Sequence, residues 1–139
     1  MEAQKASVKL ATEINEFEEK QSYLANVELY DLKTKYYETY LDKRVPGVEF
    51  KIKNKGNRTL NKVEVTVYFE DKEGNTIAEE NFHPVLVSKY SYRDNKPLKS
   101  NYVWQQERGK FYKADSIPSE WIEGAATAKI TDIEFENSE

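Results

Sequence analysis

Two stretches in the middle of the chain alternate apolar and polar residues, and this alternation predicts β-strands. Val48, Phe50 and Ile52 share one side of the first stretch, opposite charged residues. After a break rich in Asn and Gly, the second stretch repeats the pattern. An alternation of this kind is typical of a strand with one buried and one solvent-facing side. We therefore predict two antiparallel neighbours, the second with its buried side formed by Val63, Val65, Val67 and Phe69.

Turn signals and further apolar patterns extend the prediction on both sides. Gly74 and Asn75 in "EDKEGNTI" suit a tight turn with positive φ, from which Ile77 begins a return strand. Near the N-terminus, the apolar side changes between Leu29 and Leu32, which predicts either a β-bulge or a strand that changes partners. Two later strands complete the pattern. One places Leu98, Tyr102 and Trp104 on one face. In the last, Ala126, Ala128 and Ile130 share a face, and the phase then changes in the same way before Ile133 and Phe135.

The first 22 residues have the periodicity of a helix. Ala3, Ala6, Leu10, Ile14 and Phe17 recur every three or four residues, and no Gly or Pro interrupts them. We expect this helix to cover an edge or end of the sheets or to act as a spacer, and a partner-binding helix is the alternative. The glutamates on its polar side disfavour binding to anionic lipid.

Together these patterns predict an all-β protein. No crossover helix separates the strands, and turn signals recur every ten or more residues. We therefore predict an Ig-like antiparallel β-sandwich of about seven strands with an N-terminal α-helix. Residues 1–22 form the helix in this prediction, and residues 23–139 form the sandwich.

Composition narrows the functional classes. At 139 residues, the chain suits one domain. Its formal net charge of −4 disfavours nucleic acid as a partner. No apolar run reaches the roughly 20 residues that span a bilayer, and the N-terminus lacks the hydrophobic core of a signal peptide. We expect a soluble chain that associates with a membrane only through an N-terminal anchor outside the given sequence.

The region from Val48 to Glu136 carries three short motifs: Asn54 and Gly56, then Phe69, Asp71 and Gly74, and finally Ile130, Ile133 and Phe135. Its strands and turns look like the small Ig-like, FxLYD-type domains of uncharacterised bacterial envelope proteins and lipoproteins. This resemblance implies an extracytoplasmic location in the cell envelope and no catalytic residue set.

The residues themselves offer little for catalysis or metal binding. The chain has no cysteine and one histidine, His83, which we place in a loop. No glycines of a nucleophile elbow flank any serine, and "DKEGN" is too short for an EF-hand calcium loop. We predict no catalytic residue, metal or cofactor. An unrecognised enzyme would instead require a pocket lined by carboxylates such as Asp94, Glu107 or Asp115.

Aromatic residues in two long loops are the best candidates for binding. The loops span residues 83–97 and 107–121, and loops commonly carry binding residues. We expect Trp104 and Trp121 to lie mainly in the core. The candidate binding residues are Tyr90, Tyr92, Phe111 and Tyr112, whose rings could contact a protein or stack on a glycan.

The favoured functional hypothesis is a non-catalytic interaction or spacer module that presents these loops. A carbohydrate-binding module is the alternative, and it requires coplanar, exposed rings among the loop aromatics.

Overall fold

The computed structural model describes residues 2–41, 44–87 and 96–136, with the backbone alone for residues 2–8. Helix α1 is followed by a short 3-10 turn, Leu24–Asn26, and then by strands. The bounds of the elements are α1 (Glu2–Tyr23), β1 (Val27–Tyr37), β2 (Val45–Asn54), β3 (Leu60–Glu70), β4 (Thr76–Leu86), β5 (Val103–Gln105), β6 (Tyr112–Lys113) and β7 (Ala126–Phe135).

The strands form two antiparallel sheets, which confirms the predicted all-β, antiparallel sandwich. One sheet has the order β1-β2-β5, with β6 also paired to β2, and the other has the order β4-β3-β7. The chain completes β1 and β2 in the first sheet, crosses to β3 and β4, and returns for β5 and β6. It crosses a last time to reach β7. In the described part of the chain the strands number seven, as predicted.

The buried faces of β2 and β3 are those that the sequence predicts. Val48, Phe50 and Ile52 are buried, and so are the four alternating apolar residues of β3. However, the two strands are not neighbours in one sheet, so that prediction was wrong. β2 pairs with β1, and β3 pairs with β4 and β7. The alternation defines which face of a strand is buried, but two strands facing each other across one core produce the same alternation as two paired strands.

Bulges account for each change of phase. In β1, Asp31 and Leu32 lie opposite the single residue Phe50, and Asp31 has a φ of 53°. In β7, Thr131 is the extra residue between Ile130 and Asp132. Both bulges were predicted from the sequence, the one in β1 as one of two alternatives. They turn the apolar side of each strand back toward the core.

A further bulge explains why His83 was misplaced. His83 and Pro84 together lie opposite Glu64, between the buried residues Phe82 and Val85 of β4. His83 therefore lies in a strand and not in a loop. The bulge interrupts the alternation of apolar and polar residues, and Pro84 is a residue more typical of a loop. Proline is tolerated here because β4 is an edge strand.

The predicted strand from Leu98 to Trp104 is also interrupted. Leu98 is buried and pairs with Leu60 in an isolated bridge, whereas β5 begins only at Val103. Asn101, with a φ of 67°, turns the chain between them. As a result, Tyr102 does not share the buried face and is 58% exposed.

Candidate functional site

A buried polar cluster holds the end of α1 on the sandwich. The Tyr23 hydroxyl donates to Oδ1 of Asn54 at 2.6 Å and accepts from the backbone N–H of Arg58 at 3.0 Å. The Asn54 side-chain amide donates to the carbonyls of Arg58 and Leu98, at 2.6 and 3.0 Å. Tyr23 and Asn54 are both buried. The cluster thus joins the end of α1, the end of β2, the β2–β3 connection and the segment before β5.

Around this cluster, Arg58 and Phe135 form a second set of contacts with the helix. The Tyr23 ring packs edge-on against Phe135 with 5.2 Å between centroids. The Arg58 guanidinium lies 3.6 Å from the Phe135 ring centroid, and it also pairs with Glu19 at 3.4 Å. These contacts involve only the last two turns of α1, and they fix where the helix leaves the sandwich.

The side chains in the middle of α1 are exposed to solvent. Every side chain from Lys9 to Glu19 is exposed. This includes the apolar stripe, by which we mean Leu10 (59% exposed), Ile14 (48%) and Phe17 (61%). Over this length the helix is exposed, as the spacer alternative requires, whereas its last turn is held on the sandwich by Tyr23. Exposed apolar residues grouped on one helix face are typical of an interaction surface.

The candidate aromatics Phe111 and Tyr112 lie on opposite faces of one sheet. Phe111 stacks on Tyr37 of β1 with 4.0 Å between centroids and 5° between planes. These two rings cover Gly47 on the outer side of the sheet, where an added Cβ would overlap both. Tyr112 instead points into the sandwich, opposite Val48. Tyr90 and Tyr92 lie outside the described residues.

Tyr112 belongs to a group of rings between the two sheets. It stacks on Phe82 at 5.0 Å and on Trp104 at 5.9 Å, measured between centroids. Burial raises the pKa of Tyr112 to about 12. Trp104 is half-buried, and Trp121 is buried against Phe69, with its indole N–H donating to the Ala125 carbonyl at 3.0 Å. Both tryptophans therefore lie where the sequence analysis placed them.

Of the three carboxylates proposed for an enzyme, the two that the structure describes have different neighbours. Glu107 is exposed and pairs with Lys110 at 3.0 Å. Asp115 lies elsewhere, near Glu80, whose pKa is raised by burial and by the charge of Asp115. Asp94 falls outside the described residues.

His83 takes part in a polar network on the outer side of the second sheet. Its Nε2 lies 3.0 Å from Glu64, and the Thr131 hydroxyl donates to the other Glu64 oxygen at 2.8 Å. The carboxylate thus lies between the imidazole and the hydroxyl. In a nucleophilic triad the histidine occupies the middle position and takes the hydroxyl proton, so this order does not activate Thr131.

The described residues contain neither a cluster of metal ligands nor a helix suited to a membrane. No group of three or more His, Cys, Asp or Glu side chains is placed to hold a metal ion. Among those same residues, no helix has the length and apolar character to span a membrane.

Comparisons with known proteins assign neither a family nor a function to the chain. No family model matches the chain, and searches of the curated proteins and of the solved structures found no significant match. The functional proposal therefore depends on the geometry of α1 and its attachment.

The sequence identified the apolar stripe but not the cluster that anchors it. Tyr23 and Asn54 are 31 positions apart, and neither has a local pattern that pairs it with the other. The one available signal was that Asn54 continues the buried side of β2 after Ile52. A polar residue at a buried position requires a hydrogen-bond partner, although the sequence does not say which.

Proposed function

We propose that the protein is a non-catalytic interaction and spacer module. In this proposal, the sandwich is a rigid base that holds α1 away from its own surface, and the stripe of Leu10, Ile14 and Phe17 contacts another protein. The observation that carries the proposal is the contrast along α1. Tyr23 is buried in a satisfied polar cluster, whereas all side chains from Lys9 to Glu19 are exposed.

The proposed contact surface lies on the helix and not on the two long loops that the sequence suggested. The two described candidate rings, Phe111 and Tyr112, pack against the sandwich on opposite faces of a sheet. A glycan platform needs neighbouring rings exposed on one side. No contact of the described rings favours this alternative, whereas the exposed stripe favours a protein partner.

We further propose that the module is the soluble part of a bacterial extracytoplasmic protein or lipoprotein. The support is the resemblance of residues 48–136 to FxLYD-type domains. Fractionation of cells of the source organism tests it: we expect the protein in the envelope fraction, and recovery in the cytoplasmic fraction contradicts the location.

Photocrosslinking in cells of the source organism tests the role of α1. Benzoylphenylalanine replaces Phe17 in one variant and Tyr102 in the matched control. These positions suit the comparison because both are aromatic and similarly exposed, at 61% and 58%. We expect a protein adduct from position 17 that position 102 does not form.

Mass spectrometry then identifies the protein that is crosslinked in the adduct. An adduct at position 17, with either another protein or a second copy of this chain, supports the interaction module. If positions 10, 14 and 17 all crosslink no more than position 102 does, the proposed role of α1 is wrong.

A further inference from the structure

The apolar stripe has the spacing of a coiled-coil seam. Leu10, Phe17 and Leu24 are seven residues apart, and Ile14 lies between the first two at the alternate seam position. Leu24 already packs against the core of the sandwich. The unpartnered part of the seam is therefore the stripe itself. A seam with this repeat fits a facing helix that carries the same repeat.

An isolated helix with such a stripe lacks the packing that normally stabilises it. Most of the stability of protein helices comes from burying one apolar face, because local propensity alone leaves a helix marginal in water. The last two turns of α1 are held by Tyr23 and by Arg58, but the three side chains of the stripe remain exposed in the described structure. A second helix along the stripe would supply that packing.

Charge along α1 indicates what that second helix is. Its first half contains two lysines and one glutamate, whereas its second half contains four glutamates and one lysine. An antiparallel partner with the same sequence places each half beside the half of opposite net charge. A parallel copy would place the glutamate-rich halves side by side, which is unfavourable.

Side-chain size agrees with the antiparallel arrangement. In the register that places Leu10 against Ile14 of a second copy, Phe17 lies opposite the small residue Ser7 in the sequence of that copy. The two-fold relation repeats each contact. Because the sandwich follows the C-terminal end of α1, antiparallel helices also place the two sandwiches at opposite ends of the pair.

We propose that two copies of the chain associate through α1, antiparallel, along Leu10, Ile14 and Phe17. This inference rests on the proposed function, since it names the partner of the same surface.

Sedimentation or light scattering of the full chain at increasing concentration tests the association. The parent should rise from 16.3 kDa toward twice that mass. Ile14→Glu places a charge in the seam and should remain monomeric over the same range. Asn15→Glu is the matched control, because it adds the same charge to an exposed neighbouring position off the stripe and should associate like the parent.

Engineered cysteines test the orientation, and the chain has no cysteine of its own to interfere. A mixture of Leu10→Cys and Ile14→Cys chains, one of them carrying a tag, should oxidise mainly to the mixed dimer. A parallel pair would instead link position 10 to position 10 and position 14 to position 14. Near-ultraviolet circular dichroism verifies that each variant keeps the folded sandwich.

Different results separate this inference from the proposed function. A parent that stays monomeric at every concentration, or a predominance of like-with-like disulfides, overturns the antiparallel pair. A crosslink from position 17 to a different protein also overturns it, yet leaves α1 as an interaction surface. Absence of any adduct and of any self-association overturns both.

Discussion

Tyr23 and Asn54 are polar residues whose burial does not leave an unpaired hydrogen-bonding group that would lower the free energy of unfolding. Both side chains are buried, and each has its hydrogen-bonding groups matched by partners at 2.6 to 3.3 Å. The described part of the structure contains no buried side-chain nitrogen or oxygen without a partner. Because an unpaired buried group costs free energy that a paired one does not, these residues define one position for the end of the helix.

Replacing Tyr23 by Phe should destabilise the protein by about 1–3 kcal/mol, because Oδ1 of Asn54 loses its hydroxyl donor while remaining buried. Chemical denaturation followed by fluorescence measures the change. Tyr102→Phe is the control, since Tyr102 is 58% exposed, and its effect should stay within about 0.5 kcal/mol. Equal effects of the two substitutions would show that the cluster does not anchor the helix.

Tyr112 should make stability depend on alkaline pH. Its folded pKa is raised by burial from the ordinary value of 10.0 to about 12. Between these values the unfolded chain releases the phenolic proton while the folded chain retains it, so the contribution of Tyr112 to stability falls as pH rises through this window.

Unfolding free energies measured from pH 9 to pH 12 test this dependence. The parent should lose stability more steeply above pH 10 than Tyr112→Phe, which has no phenol at this position. Tyr102→Phe again serves as the control and should follow the parent. Parallel curves for Tyr112→Phe and the parent would contradict the burial of this hydroxyl.

At the scale of elements, the two ends of α1 have different roles. Tyr23 and Glu19 make the contacts that hold the helix, and residues 9–18 contribute no buried side chain to the fold. The sandwich should therefore not depend on most of the helix.

Deleting residues 2–20 should leave the sandwich folded, because Tyr23 and its partners remain. The ion pair between Glu19 and Arg58 is lost, but exposed pairs contribute only about 0–1 kcal/mol. Near-ultraviolet circular dichroism and thermal melting measure the outcome. Loss of the near-ultraviolet signal would make the helix part of the core after all.

Elements were predicted best where periodicity is strong and uninterrupted. Helix α1, β2 and β3 appear at the expected positions, and so do the bulges of β1 and β7. β4 was shortened in the prediction because its bulge at His83 and Pro84 breaks the alternation. The strand predicted from Leu98 was too long, because Asn101 turns the chain with a left-handed backbone conformation that the apolar pattern of the sequence does not reveal.

For the molecule as a whole, stability comes from one core shared by both sheets. The largest fully buried side chains, Phe50 and Phe69, lie in β2 and β3, which belong to different sheets. Disruption of either inner face should therefore unfold both sheets together.

Val65→Asp and Phe50→Asp should each unfold the domain, because each buries an unpaired charge, at a cost of about 4 kcal/mol or more. Thr127→Asp is the control, since Thr127 is exposed in β7 of the same sheet as Val65. Thermal melting compares the two core variants with this control. A Val65→Asp variant that melts like the parent would refute the assignment of the buried face.

The class of fold, the buried side of the main strands and the presence of an amphipathic helix can all be predicted from the sequence. These follow from local periodicity, since each residue's side of a strand or helix depends only on its neighbours along the chain. Three other features emerge only from the folded chain: β2 and β3 lie in different sheets, Phe111 and Tyr112 are separated by a sheet, and the stripe of α1 remains exposed. Those features depend on contacts between residues far apart in the chain, such as Tyr23 and Asn54, and no local pattern specifies which distant residue a side chain will meet.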